Sequence, residues 1–404
     1  MEERLYIENF GPIIKADISI SRVTILTGRQ GAGKSTVAKL YALFTWLEKA
    51  LMRRSLTIKY ITQYNRFRKQ YCAYNNIDNY FTDTTVLKFI GSHYSFSYRD
   101  KKLNINNIEN LDETAFYISK VMYVPAERSI LGSIDHPSQL KGLGASMSTF
   151  SDEFGYAKTN IKSGYTFPFE KIGFEYDTLN DMPKLKLTGG AEIKLSAGSS
   201  GFQSSLPLLL VSKNLNNMVL NSSQNTDLSD KELKALQKEV GSILNNRFLS
   251  EEVKIASLQT ISSRFKYSRF VNIVEEMELN LFPDSQRGVL YELIETTLTL
   301  EKNRLMLTTH SPYVINYITL AIKAYELSHH KGINNDLRTK INDIVPTNSQ
   351  ISASDVTIYE LGDGKATRLA YYEGIPSDDN FLNDKLNDTN TIFDALLEIE
   401  DELN

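Results

Sequence analysis

The chain has 404 residues, 41 % hydrophobic and 23 % charged, an ordinary globular composition that can bury a large core. Its net charge of −4 excludes a surface that attracts nucleic acid as a whole, so any such contact needs a local patch. The single cysteine, Cys72, excludes an intramolecular disulfide and a cysteine-built zinc site and fits a reducing, cytoplasmic setting, while no apolar run approaches the roughly 18 residues of a membrane span.

The start, "MEERLYIENFG", has early acids and no apolar core, unlike a secretory signal. Residues 4–27 alternate apolar and polar in "LYIENFGPI", "ADISI" and "VTILTG", which predicts three strands, the last ending in Gly28. "STVAKLYALFTWLEKALMRR" then puts Val37, Leu40, Leu43, Phe44 and Leu47 on one side of a helix. Residues 51–114 read as an insertion, basic and tyrosine-rich, with a hairpin near "HYSFSYRDKKLNI". "KVMYVPAER" is a buried-type strand stopped by Pro125. "KIGFEYD" and "PKLKLTG" are two further strands, and "LSAGSSGFQSSLPLLLVSKNL" opens a helix. Polar helices are expected over 226–268. "RFVNIVEEMELNLFP" begins as a strand, "SQRGVLYELIETTLTLE" is an amphipathic helix and "RLMLTTHSP" is another buried strand. "DVTIYELGDGKATRLAYY" reads as a hairpin turning at "GDGK", and 377–404 is rich in Asp and Asn. Repeats, linkers and sustained heptads are not found.

"GRQGAGKS" fits G-x-x-x-x-G-K-[ST] from Gly28 through Gly31 and Gly33 to Lys34 and Ser35. Backbone N–H groups must converge on phosphate oxygens, and side chains at the loop positions would block them. The helix start adds its positive end. Gly28, Gln30, Gly31, Ala32, Gly33, Lys34, Ser35 and Thr36 are therefore the candidate phosphate cradle. Lys34 can reach the β- and γ-phosphates, and Ser35 can put its hydroxyl on Mg²⁺. Hydrolysis also needs acids at a strand end, and Glu275 and Glu276 close an apolar strand.

Taken together, the loop and the "VEEMELNLFP" segment resemble the ABC-type ATPase heads of the RecF, OLD and structural-maintenance-of-chromosomes group. That resemblance implies an α/β P-loop NTPase fold: a central mixed, largely parallel sheet with helices on both faces, an antiparallel β subdomain and a helical lobe. It implies one ATPase domain over 1–404. Its first lobe would come from 1–50, 115–130 and 269–372, with a basic insertion at 51–114, a signature-bearing lobe at 131–268 and an acidic tail at 373–404. The family usually has aspartate where Glu275 stands and proline where Met277 stands. By resemblance Glu275 holds Mg²⁺, Glu276 is the catalytic glutamate, and His310 in "TTHSPYVI" senses the γ-phosphate. The family's signature, often L-S-x-G, has two registers here. Leu195-Ser196-Ala197-Gly198 fits the letters, while Ser199-Ser200-Gly201 fits better the distance to Leu206 and Leu208–Leu210. In the family this helix start meets the ATP held by a second head, which implies a head-to-tail dimer, and thus a homo-oligomer, around two ATPs.

Arg128 stands near the family's Q-loop without its glutamine, and faces nucleotide or interface, or closes a structural ion pair. "RRSLTIKYITQYNRFRKQYCAY", 53–74, holds six bases and no acid, interleaved with tyrosines. It suits nucleic acid, an acidic protein or the acidic tail itself, or it is a solvated face over a buried aromatic stripe. The chain resembles the compact stand-alone ATPases of bacterial anti-phage systems such as Septu, PARIS and retron-associated ones. That implies a separately encoded effector, such as a nuclease. The alternatives are a RecF-like DNA-repair ATPase and a scaffold that binds ATP with little turnover.

Overall fold

Three alternating segments become β1 (Glu3–Phe10), β2 (Ile13–Ile20) and β3 (Val23–Gly28). They belong to a computed structural model that describes residues 3–108, 118–137, 140–161, 164–221, 230–246, 250–251, 253–255, 257–258, 261 and 266–403. β3 is buried at every position, as a strand covered on both faces must be. It leads through the glycine loop into α1 (Lys34–Met52), whose Val37, Leu40, Tyr41, Phe44 and Leu47 are fully buried.

Next come α2 (Ile58–Thr62), β4 (Phe81–Ile90), β5 (Tyr94–Arg99), β6 (Lys102–Asn107), β7 (Ser119–Val124), α3 (Ser129–Ser133) and α4 (Ala145–Asn160). A small antiparallel sheet holds β8 (Tyr165–Thr166), β9 (Gly173–Asp177), β10 (Met182–Lys186) and β11 (Glu192–Lys194). The signature helix is α5 (Ser200–Leu220), followed by α6 (Asp230–Leu244). The expected second polar helix before 268 lies largely outside the described residues. The chain continues with β12 (Arg269–Val274), α7 (Pro283–Leu298), β13 (Arg304–Thr309), α8 (Pro312–Ser328), α9 (Asn335–Ile344), β14 (Val356–Gly362), β15 (Lys365–Arg368) and α10 (Phe381–Leu403).

Among the described residues one eleven-stranded sheet runs β6-β5-β4-β1-β2-β15-β14-β3-β13-β12-β7. β14, β3, β13, β12 and β7 are parallel neighbours, so their carboxyl ends share one rim. The other half is antiparallel except where β15 runs parallel to β2. Side-chain alternation feeds two cores: Leu305 and Leu307 pack with α5, α7 and α8, while Met306 faces the α1 side. This is an α/β P-loop fold with helices on both faces of a mixed sheet. β4, β5 and β6, grouped in sequence with the basic insertion, extend the main sheet from the edge of β1.

Four of the six bases in 53–74 have partners within the chain, Arg66 donating to the Tyr60 carbonyl at 2.8 Å and Arg68 to the Asp78 carbonyl at 2.7 Å. Arg53 is buried, pairs with Glu232 at 3.0 Å and stacks on Tyr267, and Arg54 pairs with Glu239 at 2.9 Å. Phe67 and Tyr71 join the α1 core. Lys59, Tyr60, Tyr64, Lys69 and Tyr74 remain exposed, with Arg66 stacked on Tyr60. The acidic tail is helical. Asn380 caps it by accepting from the Asn383 N–H at 3.1 Å, and the Phe381 N–H donates to Glu360 Oε1 at 2.8 Å on β14. Among the described residues no ion pair joins it to 53–74.

Candidate nucleotide-binding site

The loop between β3 and α1 is shaped by close approaches. A Cβ at Gly28 would lie 2.1 Å from the Leu361 carbonyl oxygen, and one at Gly33 would lie 2.7 Å from Ile13 Cγ1; both have positive φ. Gly31 differs, because a Cβ there would meet nothing within 4 Å and would project into the space before the loop. Gln30, Gly31 and Ser35 are exposed, Ala32 is half-buried, and Thr36 is buried on α1. Among the described residues the N–H groups of Gly31, Gly33, Lys34 and Ser35 donate to no backbone carbonyl. Free donors at a helix start in a bare loop fit an anion with several oxygens.

Lys34 turns its amine onto the loop, donating to the Gly28 and Arg29 carbonyls at 2.9 and 3.0 Å. Burial pulls its pKa down to about 8, against the opposing pull of Glu276, Glu278 and Glu275. Phosphate needs the ammonium, and its charge would raise that pKa again. Binding above pH 8 must therefore take up a proton, and affinity for ATP should fall by up to about tenfold per pH unit there. Calorimetric titration between pH 7 and 9.5 reads this slope, which a Lys34→Arg variant should flatten.

The carboxyl ends of β12 and β13 bring the other candidates to the same rim. Glu275 is 6 % exposed, and its Oε1 has no hydrogen-bond partner. The Tyr123 hydroxyl lies close enough for the two ionised forms to oppose each other: burial first, and Glu275 next, push the phenol well up. A buried, unpartnered carboxylate oxygen fits a cation or its bound water. Among the described residues no group of three His, Cys, Asp or Glu could cage a metal, so an ion here would share its coordination with phosphate, Ser35 and water.

Glu276 sits in a left-handed turn, φ 44°, with its N–H donating to the Thr308 hydroxyl at 3.1 Å. His310 Nε2 is 3.8 Å from Glu276 Oε1. Burial, then Lys34, lower the imidazole's pKa, against Glu276 and the Gly28 backbone, so the ring is held neutral. The structure thus brings Lys34, Glu275, Glu276 and His310 to one mouth.

Three further residues support the site. Glu278 accepts the His310 N–H at 2.6 Å, and burial raises its pKa. Thr308 holds the Glu276 turn. Arg128 is fully buried: Nη1 donates to Glu275 O at 2.6 Å, Nη2 to Glu276 O at 2.7 Å and Nε to Ser204 O at 3.2 Å. Its partners are carbonyls, in neither of the two roles the sequence suggested. The acid spacing in "EEME" signals Glu278 in sequence and the Q-loop position marks Arg128, though not its partners; Thr308 has no such signal.

The two signature registers are also placed apart. Leu195 is buried, and the Ser196 hydroxyl donates to Asp135. Ser199 and Ser200 are exposed at the start of α5, and neither caps it. A Cβ at Gly201 would lie 3.0 Å from Asn280 O, so this helix start packs just beyond the Glu276 turn. Among the described residues no hydrogen bond joins 199–201 to the phosphate loop of the same chain.

No helix among the described residues is long and apolar enough to cross a membrane. No protein-family model and no curated protein matches the chain. Solved structures similar in overall shape include an SMC head domain from Thermotoga maritima, at 10 % identity and TM-score 0.35, covering 92 % of this chain and 99 % of that one. An SmcHead bound to the C-winged helix domain of ScpA aligns at 11 % identity and TM-score 0.35, covering 92 % and 98 %. The recombination mediator protein RecF aligns at 10 % identity and TM-score 0.28, covering 92 % and 98 %. The fold assignment stands on the strand order and the loop.

Proposed function

We propose that the chain is an ATP-binding and ATP-hydrolysing switch. The observation that carries this is the convergence of Lys34, Glu275, Glu276 and His310 on a loop with free N–H donors. The loop N–H groups and Lys34 bind and orient the triphosphate. Ser35 and Glu275 would hold Mg²⁺, which supplies charge neutralisation at the phosphates when bound. Glu276 orients the attacking water and takes its proton. The neutral His310 ring, beside Glu276 and Lys34, would donate a hydrogen bond to the terminal phosphate.

The exposed hydroxyls of Ser199 and Ser200 at the start of α5 would complete the site of a second copy, so ATP closes a head-to-tail dimer and hydrolysis opens it. That cycle would hold or release a separately encoded effector, such as a nuclease, in anti-phage defence. The effector and the defence setting rest on the likeness of the sequence to compact stand-alone ATPases of such systems.

The test separates the two halves of the site. Lys34→Ala should lose ATP binding. Ser200→Glu, on an exposed position, should bind ATP as the wild type does but lose the ATP-dependent dimer in light scattering and most phosphate release. A Ser200→Glu chain that dimerises and turns over normally would remove the two-copy site.

A further inference from the structure

The site has a direction along the sheet. Glu275, Glu276 and His310 come from the ends of β12 and β13, on one side of β3, and β14 lies on the other side. A triphosphate with its terminal group at these three side chains and its chain lying across β3 would carry its nucleoside toward β14. There a cavity of about 420 Å³ opens beside the loop, lined by Arg29, Phe381, Asp384, Asn387 and Asp388 among others. That is the size of an ordinary small-ligand pocket.

The cavity joins the phosphate loop to the first turns of α10, and both walls are pinned. The Arg29 guanidinium lies 4.6 Å from the Phe381 ring centroid. Phe381 is tied to β14 through Glu360, and Asn380 caps the helix that carries Asp384 and Asp388. The chemistry changes across Arg29. On one side are N–H donors and the Lys34 amine; on the other are the exposed carboxylates of Asp384 and Asp388, with Lys385 between them paired to Asp388. Carboxylates repel a polyphosphate and accept from hydroxyl and amino groups. A stacked cation–aromatic pair offers a flat face to a flat ring.

We propose that this cavity takes the nucleoside half of the nucleotide. The base lies on the Arg29–Phe381 layer, and ribose hydroxyls or an exocyclic amine donate to Asp384 and Asp388. The proposal rests on the phosphate-loop reading above and makes the first turns of the acidic tail part of the site.

Calorimetry of the full chain with Mg-ATP and with Mg-tripolyphosphate tests it. Phe381→Ala should weaken ATP binding by about tenfold, the scale of one lost base–aromatic stack, and leave tripolyphosphate unchanged. The exposed pair Asp384→Asn with Asp388→Asn covers the case in which Phe381→Ala loosens α10. It should also weaken ATP while leaving tripolyphosphate no weaker. If both variants bind ATP like the wild type, or lose the two ligands equally, the nucleoside site is wrong and the phosphate loop stands. A wild-type chain that binds neither ligand would overturn the loop reading and the nucleoside site together.

Discussion

Glu276→Gln should cut ATP turnover by about 10²–10³-fold while ATP binding and the ATP-dependent dimer persist. The amide has the same shape and still orients a water, but it cannot take the proton. The turn that presents residue 276 is held through its main chain, by Thr308 on the N–H and Arg128 on the carbonyl, so the swap leaves the geometry in place. Phosphate release in single and multiple turnover, with light scattering in ATP, is the measurement. Wild-type turnover in the variant would move the catalytic role off Glu276. Tight ATP binding by the wild type with phosphate release at the level of a buffer blank would instead favour an ATP-assembled scaffold. Glu275→Gln should behave differently. Its buried Oε1 would no longer carry charge, so the loss should be in Mg²⁺ dependence rather than in the proton step.

The parts of this site that were legible in sequence are those fixed by local pattern. The phosphate loop needs three glycines, a lysine and a helix start in one short run, and the alternating and 3.6-period segments around it give β3 and α1 directly. Glu276 and His310 were legible because each ends an apolar run, on β12 and β13. What was not legible depends on pairing between distant segments. Arg128 reaches Glu275 across 147 positions because β7 and β12 are parallel neighbours, and nothing in "PAER" announces that. Asp135, 61 positions before Ser196, accepts from the serine of one signature register, a pairing no local pattern shows. The aromatic run in 53–74 shows helical spacing whether it packs inward or meets a ligand; Phe67 and Tyr71 pack inward, while Tyr60 and Tyr64 do not. In sequence the tail reads only as a stretch rich in Asp and Asn. A cap at Asn380 and one aromatic, Phe381, were enough to set its first turn beside the loop.

Arg128→Met should destabilise the fold by about 3–5 kcal/mol in denaturant unfolding. The guanidinium spreads its donors over the carbonyls of Pro125, Ser204, Glu275 and Glu276, so the substitution leaves several buried acceptors unmet at once. Burial pulls the pKa of Arg128 down to about 10, against the nearby acids Glu278, Glu276, Glu275 and Glu127, so the group stays charged and its hydrogen bonds are of the strong kind. It also binds three elements together: the end of β7, the start of α5 and the Glu276 turn. That turn needs the support, because φ 44° at a glutamate costs about 1–2 kcal/mol that the surroundings must offset. Arg128→Lys separates stability from positioning. An ammonium can satisfy one or two of the carbonyls but cannot fork across Glu275 and Glu276 together. Part of the stability should return, while kcat stays low at an unchanged KM, since the candidate phosphate loop makes no hydrogen bond to Arg128. A Lys variant that lost only KM, or a Met variant that unfolded at the wild-type midpoint, would remove Arg128 from the catalytic turn.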